Sequence, residues 1–419
     1  MVNPPDLTPP ARPPTLTPVQ RHRVREPLPA GFATVWTSVA VDLVGFGIVF
    51  PLLPLYARRF GAGAATVGAL FASFSVAQLL FAPVWGRLSD RVGRKPVLVL
   101  SLAGTAVGSL MTGLAGSLPL LFAGRIVDGM SGASVSVAHA TVADVAPPAQ
   151  RARLFGLLGA AFGVGFVAGP AIGALSALGD ARLPFFVAAA VAGVNAVAAL
   201  RRLPETNPGH RVTDHHEDWV AQTGLEDDVV VVVEPAGATD RPGLPLLLAV
   251  AFISLVAYSG FEMTFPLFGA KRLGFHQVSV GGVFAAVGLV LVAVQASLVH
   301  PVVRRLGEAG TLRLGLAVNA VGLLLLAAVH SWWMLVPALG ALVVGQGLAM
   351  PALTAAFAGR ARVDRRGGVL GVQQSASGMA RVVGPIAGGF AFERLGAPSP
   401  YLAGAAMMAL CAVMVARRG

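Results

Sequence analysis

Five ionisable residues stand inside long apolar stretches of the chain: Asp42, Arg125, Asp128, Glu262 and Arg381. A charge at bilayer depth costs a few kcal/mol unless it has a partner or a wet cavity. Asp42 lies eleven residues into its stretch, roughly 16 Å deep at 1.5 Å per residue. Arg125 and Asp128 share one helical face at i, i+3. The chemistry open to such a set is proton exchange. Desolvation favours the protonated acid, whereas a nearby guanidinium favours the ionised one. Asp42 is therefore the expected proton carrier, controlled by Arg125 and Asp128, with Glu262 as a further acid. A plain structural ion pair is the alternative for any one of them. Arg381 is expected to be neutralised by Glu262 or by a buried carbonyl cluster. Other chemistries have no candidate. No phosphate-binding glycine loop precedes either lysine, Lys95 or Lys271, and neither H-E-x-x-H nor G-x-S-x-G occurs. The single cysteine, Cys411, excludes an internal disulfide and a thiolate metal cluster. Catalytic residues, a metal and a cofactor are not expected, so the chain does not read as an enzyme.

The elements carrying these residues follow from composition. Of 419 residues, 55% are apolar and 12% charged, about half the charge of a soluble domain. With a mean hydropathy of +0.73, a soluble enzyme and a fibrous repeat are both excluded. Apolar runs recur near 31–57, 64–86, 96–116, 118–145, 154–178 and 184–203, then near 244–269, 278–303, 312–330, 334–360, 368–391 and 399–416. Each is long enough to cross a bilayer as a helix. The expectation is an all-α membrane protein with twelve transmembrane helices. Residues 1–29, with nine prolines, read as a disordered tail, and 204–243, with nine acidic residues, as a solvated linker. The organisation is thus a tail 1–29, a six-helix half 30–203, an acidic linker 204–243 and a second half 244–419.

Net charge is +11. Counted with the N-terminus inside, 23 cations fall in the tails and even-numbered loops and six in the outer loops. This predicts cytoplasmic termini in a cell membrane and makes the basic balance a topology signal, with no nucleic-acid partner. The two halves are copies. Pro51 and Pro266, Arg151 and Arg366, Gly156 and Gly371, Gly169 and Gly384, Pro170 and Pro385, and Gly173 and Gly388 are each 215 residues apart. Two parallel six-helix repeats around a midplane cavity form a known transporter design.

The loop after the second run reads Gly86-Arg-Leu-Ser-Asp90-Arg91-Val-Gly93-Arg94-Lys95. Span four carries Arg125-Ile-Val-Asp128-Gly129, span five Gly165-Phe-Val-Ala-Gly169-Pro170-Ala-Ile-Gly173, and span one Asp42-Leu-Val-Gly45-Phe-Gly47 before Pro51. In these motifs the chain resembles the major facilitator superfamily, and within it the twelve-span drug–proton antiporters. The resemblance implies that Asp90 faces the N-terminal dipole of span eleven and that Arg94 pairs with Asp144. Such contacts would latch one state of a transporter working by alternating access. It also supports Arg125 and the span-one acid in proton coupling. Asp128 stands where a neutral Gln is common. Tetracycline–proton antiporters carry extra acids in spans three and nine. Here those spans hold none, with Gly108 and Asn319 near the places concerned, which argues against a tetracycline–metal chelate as substrate.

The glycines and Pro170 of span five read as close packing and a bend. Phe46, Phe74, Phe162, Tyr258, Phe261 and Phe265 lie at a depth where rings could bind apolar substrates. Gln78, Gln295, Gln346 and Gln373 could add sparse hydrogen bonds. The expected function is proton-coupled efflux of a small, largely apolar compound by a monomer in the lipid bilayer. The alternatives are a sugar or metabolite carrier, working as symporter or facilitator, and a non-transporting receptor or scaffold.

Overall fold

The computed structural model describes residues 28–29, 31–145, 148–206, 243–360 and 366–417. The expected tail, and the connector beyond Thr206, lie outside the described residues. The described chain forms fourteen helices that make twelve spans. Span one is Phe32–Val49 continued by Leu53–Arg58, with the bend at Pro51. Spans two and three are Ala64–Val92 and Arg94–Gly113. Span four is broken into Leu118–Met130 and Ser134–Val145. Spans five and six are Pro148–Ser176 and Leu183–Arg202. The second half comprises Leu244–Leu273, Gln277–Ser297, Val299–Ala327, Trp332–Arg360, Arg366–Arg394 and Ser399–Ala416.

Ten of these spans are long and apolar enough to cross a membrane by themselves. Two are not. Span four has its apolar length cut at Ser131–Ala133, and span eleven carries Gln373, Gln374, Ser375, Ser377 and Arg381 in its middle. A spanning helix with so much polar surface must turn that surface to protein or water.

Glycine contacts repeat between the halves. In the first, Gly169 meets the Gly47 backbone and Gly165 meets Leu43, so spans one and five touch main chain to main chain. In the second, Gly384 meets Val256 and Gly260, and Gly388 meets Gly260, which joins spans seven and eleven in the same way. Such approach is available only where a side chain is missing. Spans three and four, and likewise spans nine and ten, also touch through glycines, at different depths. Gly124 packs on the Gly108 carbonyl and the Thr112 amide, and Gly345 packs on the Gly315 carbonyl and the Asn319 amide.

The halves meet closely at one end only. Gly281 of span eight lies on Pro170 and Ala174, Gly288 on Phe166, and Gly163 near Val292. Further along span five, a Cβ at Gly159 or Gly156 would meet nothing within 4 Å. Spans two and eleven touch through Gly68 and Pro385 and through Gly389 and Ala64. One hydrophobic core unites Ile48, Leu53, Tyr56 and Leu70 of the first half with Phe261, Phe265, Phe268 and Phe284 of the second. The other core, around Val39, Leu98, Val142 and Leu158, belongs to the first half alone. The molecule is closed at the end that carries the odd-numbered connections and parted, along spans five and eight, towards the other.

Candidate functional site

The break in span four organises the ionisable site. Gly129, Ser131, Gly132 and Ser134 fall together there, residues that favour turns over helix. Span three stitches the gap. The Ser101 hydroxyl donates to the Ser131 carbonyl and accepts the Ala133 N–H at 3.0 Å. Span two contributes Trp85, whose ring N–H donates to the Met130 carbonyl at 2.5 Å, and Gln78, whose amide lies against Gly132. Span one contributes Asp42, which accepts a hydrogen bond from the Ser134 hydroxyl at 2.5 Å, at the first residue of the resumed helix. A carboxylate there also gains from the positive end of the helix dipole.

One turn before the break, Arg125 and Asp128 form an ion pair at 2.5 Å with both side chains buried. The Arg125 guanidinium sits 4.3 Å from the Phe74 ring centre, a cation–π contact. Its Nε is buried without a hydrogen-bond partner. Asp128 is pinned from span three, where any side chain at Gly108 would collide with its Cβ and backbone. Asp42 is near enough to Asp128 for the two charges to interact. Arg125 is therefore committed to Asp128 in this state, while Asp42 relies on Ser134.

In the second half, Gln346 of span ten is buried and accepts a hydrogen bond from Asn319 of span nine at 3.1 Å. Gln346 also lines a small, mostly apolar pocket with Ser254, Leu316 and Met350.

At the parted end, Arg94 is buried and holds three partners. It donates to Asp144 at 2.8 Å, to Asp90 at 2.6 Å and to the Ser89 hydroxyl at 3.1 Å. Gly93, at φ 100°, makes the turn between spans two and three. Glu205, just past span six, accepts the backbone N–H of Arg94 at 2.8 Å and of Lys95 at 3.2 Å. It thereby caps span three, which has no side-chain cap of its own. Asp90 and Arg91 are exposed and Gly86 half-buried. Residues 361–365, at the entry to span eleven where Asp90 was expected to point, lie outside the described residues.

The expected binding residues divide. Phe46 and Phe74 are half-buried with ring centres 5.9 Å apart, so the rings of spans one and two adjoin the Arg125 site. Gln78, Tyr258 and Gln373 are half-buried and Gln295 is exposed. Phe162 packs partly buried on the first half's own core. Phe261 and Phe265 differ from expectation. They are 3% and 1% exposed in a ring cluster with Tyr401, Phe275 and Phe284, and they close the molecule instead of lining a cavity. Glu262 and Arg381 also differ, because no ion pair within 4 Å joins them. Glu262 is half-buried and Arg381 exposed, and the two act on each other only through their fields. Arg381 stands one turn before Gly384, the glycine that packs on span seven, and its side chain is exposed.

Ser134, Ser101, Trp85 and Glu205 were not anticipated. The Gly-Ser cluster at 129–134 and the acid directly after span six are the signals that mark them.

A family model described as the Major Facilitator Superfamily matches residues 35–318 and 296–418. The chain is 33% identical over 360 residues to the class E tetracycline resistance protein of Escherichia coli, covering 85% of this chain and 86% of that one. It is 27% identical over 367 residues to multidrug resistance protein 2 of Bacillus subtilis, covering 86% and 88%. Among solved structures it resembles the human organic anion transporter MFSD10, with a TM-score of 0.67, 25% identity, and coverage of 92% and 98%.

Proposed function

The chain belongs to the major facilitator superfamily, and on that footing we propose that it exports small, largely apolar, ring-bearing compounds in exchange for protons. The observation that carries the reading is the buried Arg125–Asp128 pair with Asp42 beside it on a broken helix. A receptor or scaffold has no use for buried charges of this kind. The tetracycline and multidrug resistance relatives support drug efflux over sugar carriage.

The residues present can bind, orient and exchange a proton. Asp42 takes the proton up. Arg125 sets when, by moving between Asp128 and Asp42, so that the acid it leaves is the one that protonates. Each proton entering down about 100 mV supplies roughly 2.3 kcal/mol, enough for a concentration ratio near fifty-fold. Phe46, Phe74 and Tyr258 offer ring surface to the substrate, and Gln78, Gln295 and Gln373 offer adaptable polar contacts. Gly165, Gly169 and Gly173 hold spans one and five together as a rigid unit. Asp90, Arg94, Asp144 and Glu205 form the latch at the parted end. Residues 30–203 and 244–419 act as the two rocking halves. The parted end, the 1–29 tail and the 204–243 connector lie in the cytoplasm, where the cation count places them. The chain works as a monomer in the cell membrane.

Gly108 leaves no room for a carboxylate in span three, and Asn319 is occupied by Gln346. A chelated metal has no acids to meet at those two places. Expression in an efflux-deficient bacterial host is therefore expected to raise resistance to ethidium more than to tetracycline. Resistance to tetracycline alone would contradict the substrate class.

A further inference from the structure

Across the closed end, one carboxylate of the second half caps a helix of the first. Span two begins at Ala64 with no side-chain cap of its own, and its N-cap residue, Gly63, is extended. The first-turn N–H groups of such a helix need acceptors from elsewhere. Glu393, in the last turn of span eleven, supplies one by accepting the Ala65 N–H at 2.8 Å, 328 residues away in sequence. Its carboxylate also lies over Gly63, so closely that a Cβ there would collide with it. Beneath this contact the two helices touch through Gly389 and Ala64 and through Pro385 and Gly68. These approaches bring the acid to the helix end and hold it there.

We propose that Glu393 is a latch that holds the closed end shut, releasing the span-two N-terminus each time the halves rock apart. The geometry makes the contact conditional on state. Glu393 and Ala65 belong to different halves, so any motion that opens this end must break it. The contact is a charge-assisted hydrogen bond combined with a dipole interaction, and both vanish within a few ångströms of separation. In their place the open state exposes both groups to water. The latch therefore biases the equilibrium without trapping it. Asp90, in the last turn of span two at the opposite end, is the counterpart acid on the partner helix. The inference rests on alternating access by the two halves but not on the substrate or on proton coupling.

The test is a pair of distance measurements by electron spin resonance on the reconstituted full chain without substrate. Labels at Arg59→Cys and His276→Cys report the closed end, and labels at Arg87→Cys and Arg304→Cys report the other. All four positions are exposed, and the native Cys411 is buried. Glu393→Ala is expected to raise the ratio of molecules open at the 59–276 end about five-fold, the usual effect of a lost cap. The population with a short 87–304 distance should rise in the same proportion. Ala65→Pro removes the donor N–H in the first helical turn, where proline is tolerated. It should produce the same shift, and the double variant no more than either single one. Unchanged distances in both variants would overturn the proposal, as would additive shifts. If either variant misfolds, the other and Glu393→Gln, with an intermediate shift expected, still decide it. Altered transport with unaltered distances would also count against the latch while leaving the transport reading intact.

Discussion

Asp42→Asn is expected to reduce ethidium accumulation against a gradient from about fifty-fold, the ratio one exchanged proton supports at a pH gradient of about 1.7 units, to unity. The amide keeps the size of the carboxyl and can still accept from Ser134, whose hydroxyl is 2.5 Å from Asp42. Folding and substrate binding should therefore survive. What disappears is the exchangeable proton. Downhill exchange of drug for drug continues, because rocking of the loaded carrier does not need proton release. Flux of ethidium into vesicles, with and without an imposed pH gradient, separates the two activities. If Asp42→Asn still concentrates ethidium in response to the gradient, the proton carrier is elsewhere, with Asp128 and Glu262 next in line.

Arg125→Ala is expected to be more damaging, and for a different reason. It leaves Asp128 buried with its ion-pair partner gone and removes the cation from the Phe74 ring. Breaking a buried pair by removing one partner costs about 3–5 kcal/mol. Much of the protein should fail to fold, seen as a large drop in melting temperature in detergent. Replacing both charges, as Arg125→Met with Asp128→Leu, removes the stranded charge and should recover most of that stability. Transport should not recover, since the control of Asp42 is lost. A double variant that transports normally would make the pair purely structural. Equal melting temperatures for Arg125→Ala and the parent would show that Asp128 is not held by Arg125.

The two predictions concern residues whose depth was legible in the sequence but whose neighbours were not. Asp42, Arg125 and Asp128 each stand out as a charge in an apolar run, and counting residues along the run gives their level. Direction around the helix axis is another matter. Span seven has no apolar stripe of helical period, so nothing in its pattern separates Phe261 and Phe265, which face the core, from Tyr258, which is half-buried. For the same reason, equal depth suggested a Glu262–Arg381 ion pair that does not form, Arg381 being exposed and Glu262 half-buried.

The break in span four was hidden by length. Residues 118–145 read as one run because Ser and Gly dilute an apolar pattern without ending it. Yet the interruption at Ser131–Ala133 is what brings Ser134 to Asp42 and Ser101 to the gap. The repeat was legible through Gly169-Pro170 and Gly384-Pro385. Around the turn joining spans three and four the shift is 214, since Gly113 and Leu118 answer to Ala327 and Trp332. On that shift the Gly315–Gly345 contact falls level with Ser101 and Ser131, about two turns deeper than Gly108–Gly124.

The central claim is that drug and proton move in opposite directions through one site. It is tested most directly by recording the lumen pH of proteoliposomes holding a trapped pH dye, with no initial pH gradient, while ethidium enters down its own gradient. Antiport through Asp42 predicts that the lumen turns alkaline as ethidium arrives, and that it stays at its starting pH in Asp42→Asn although ethidium still exchanges. Ethidium entry through the parent protein with a flat lumen pH would contradict it.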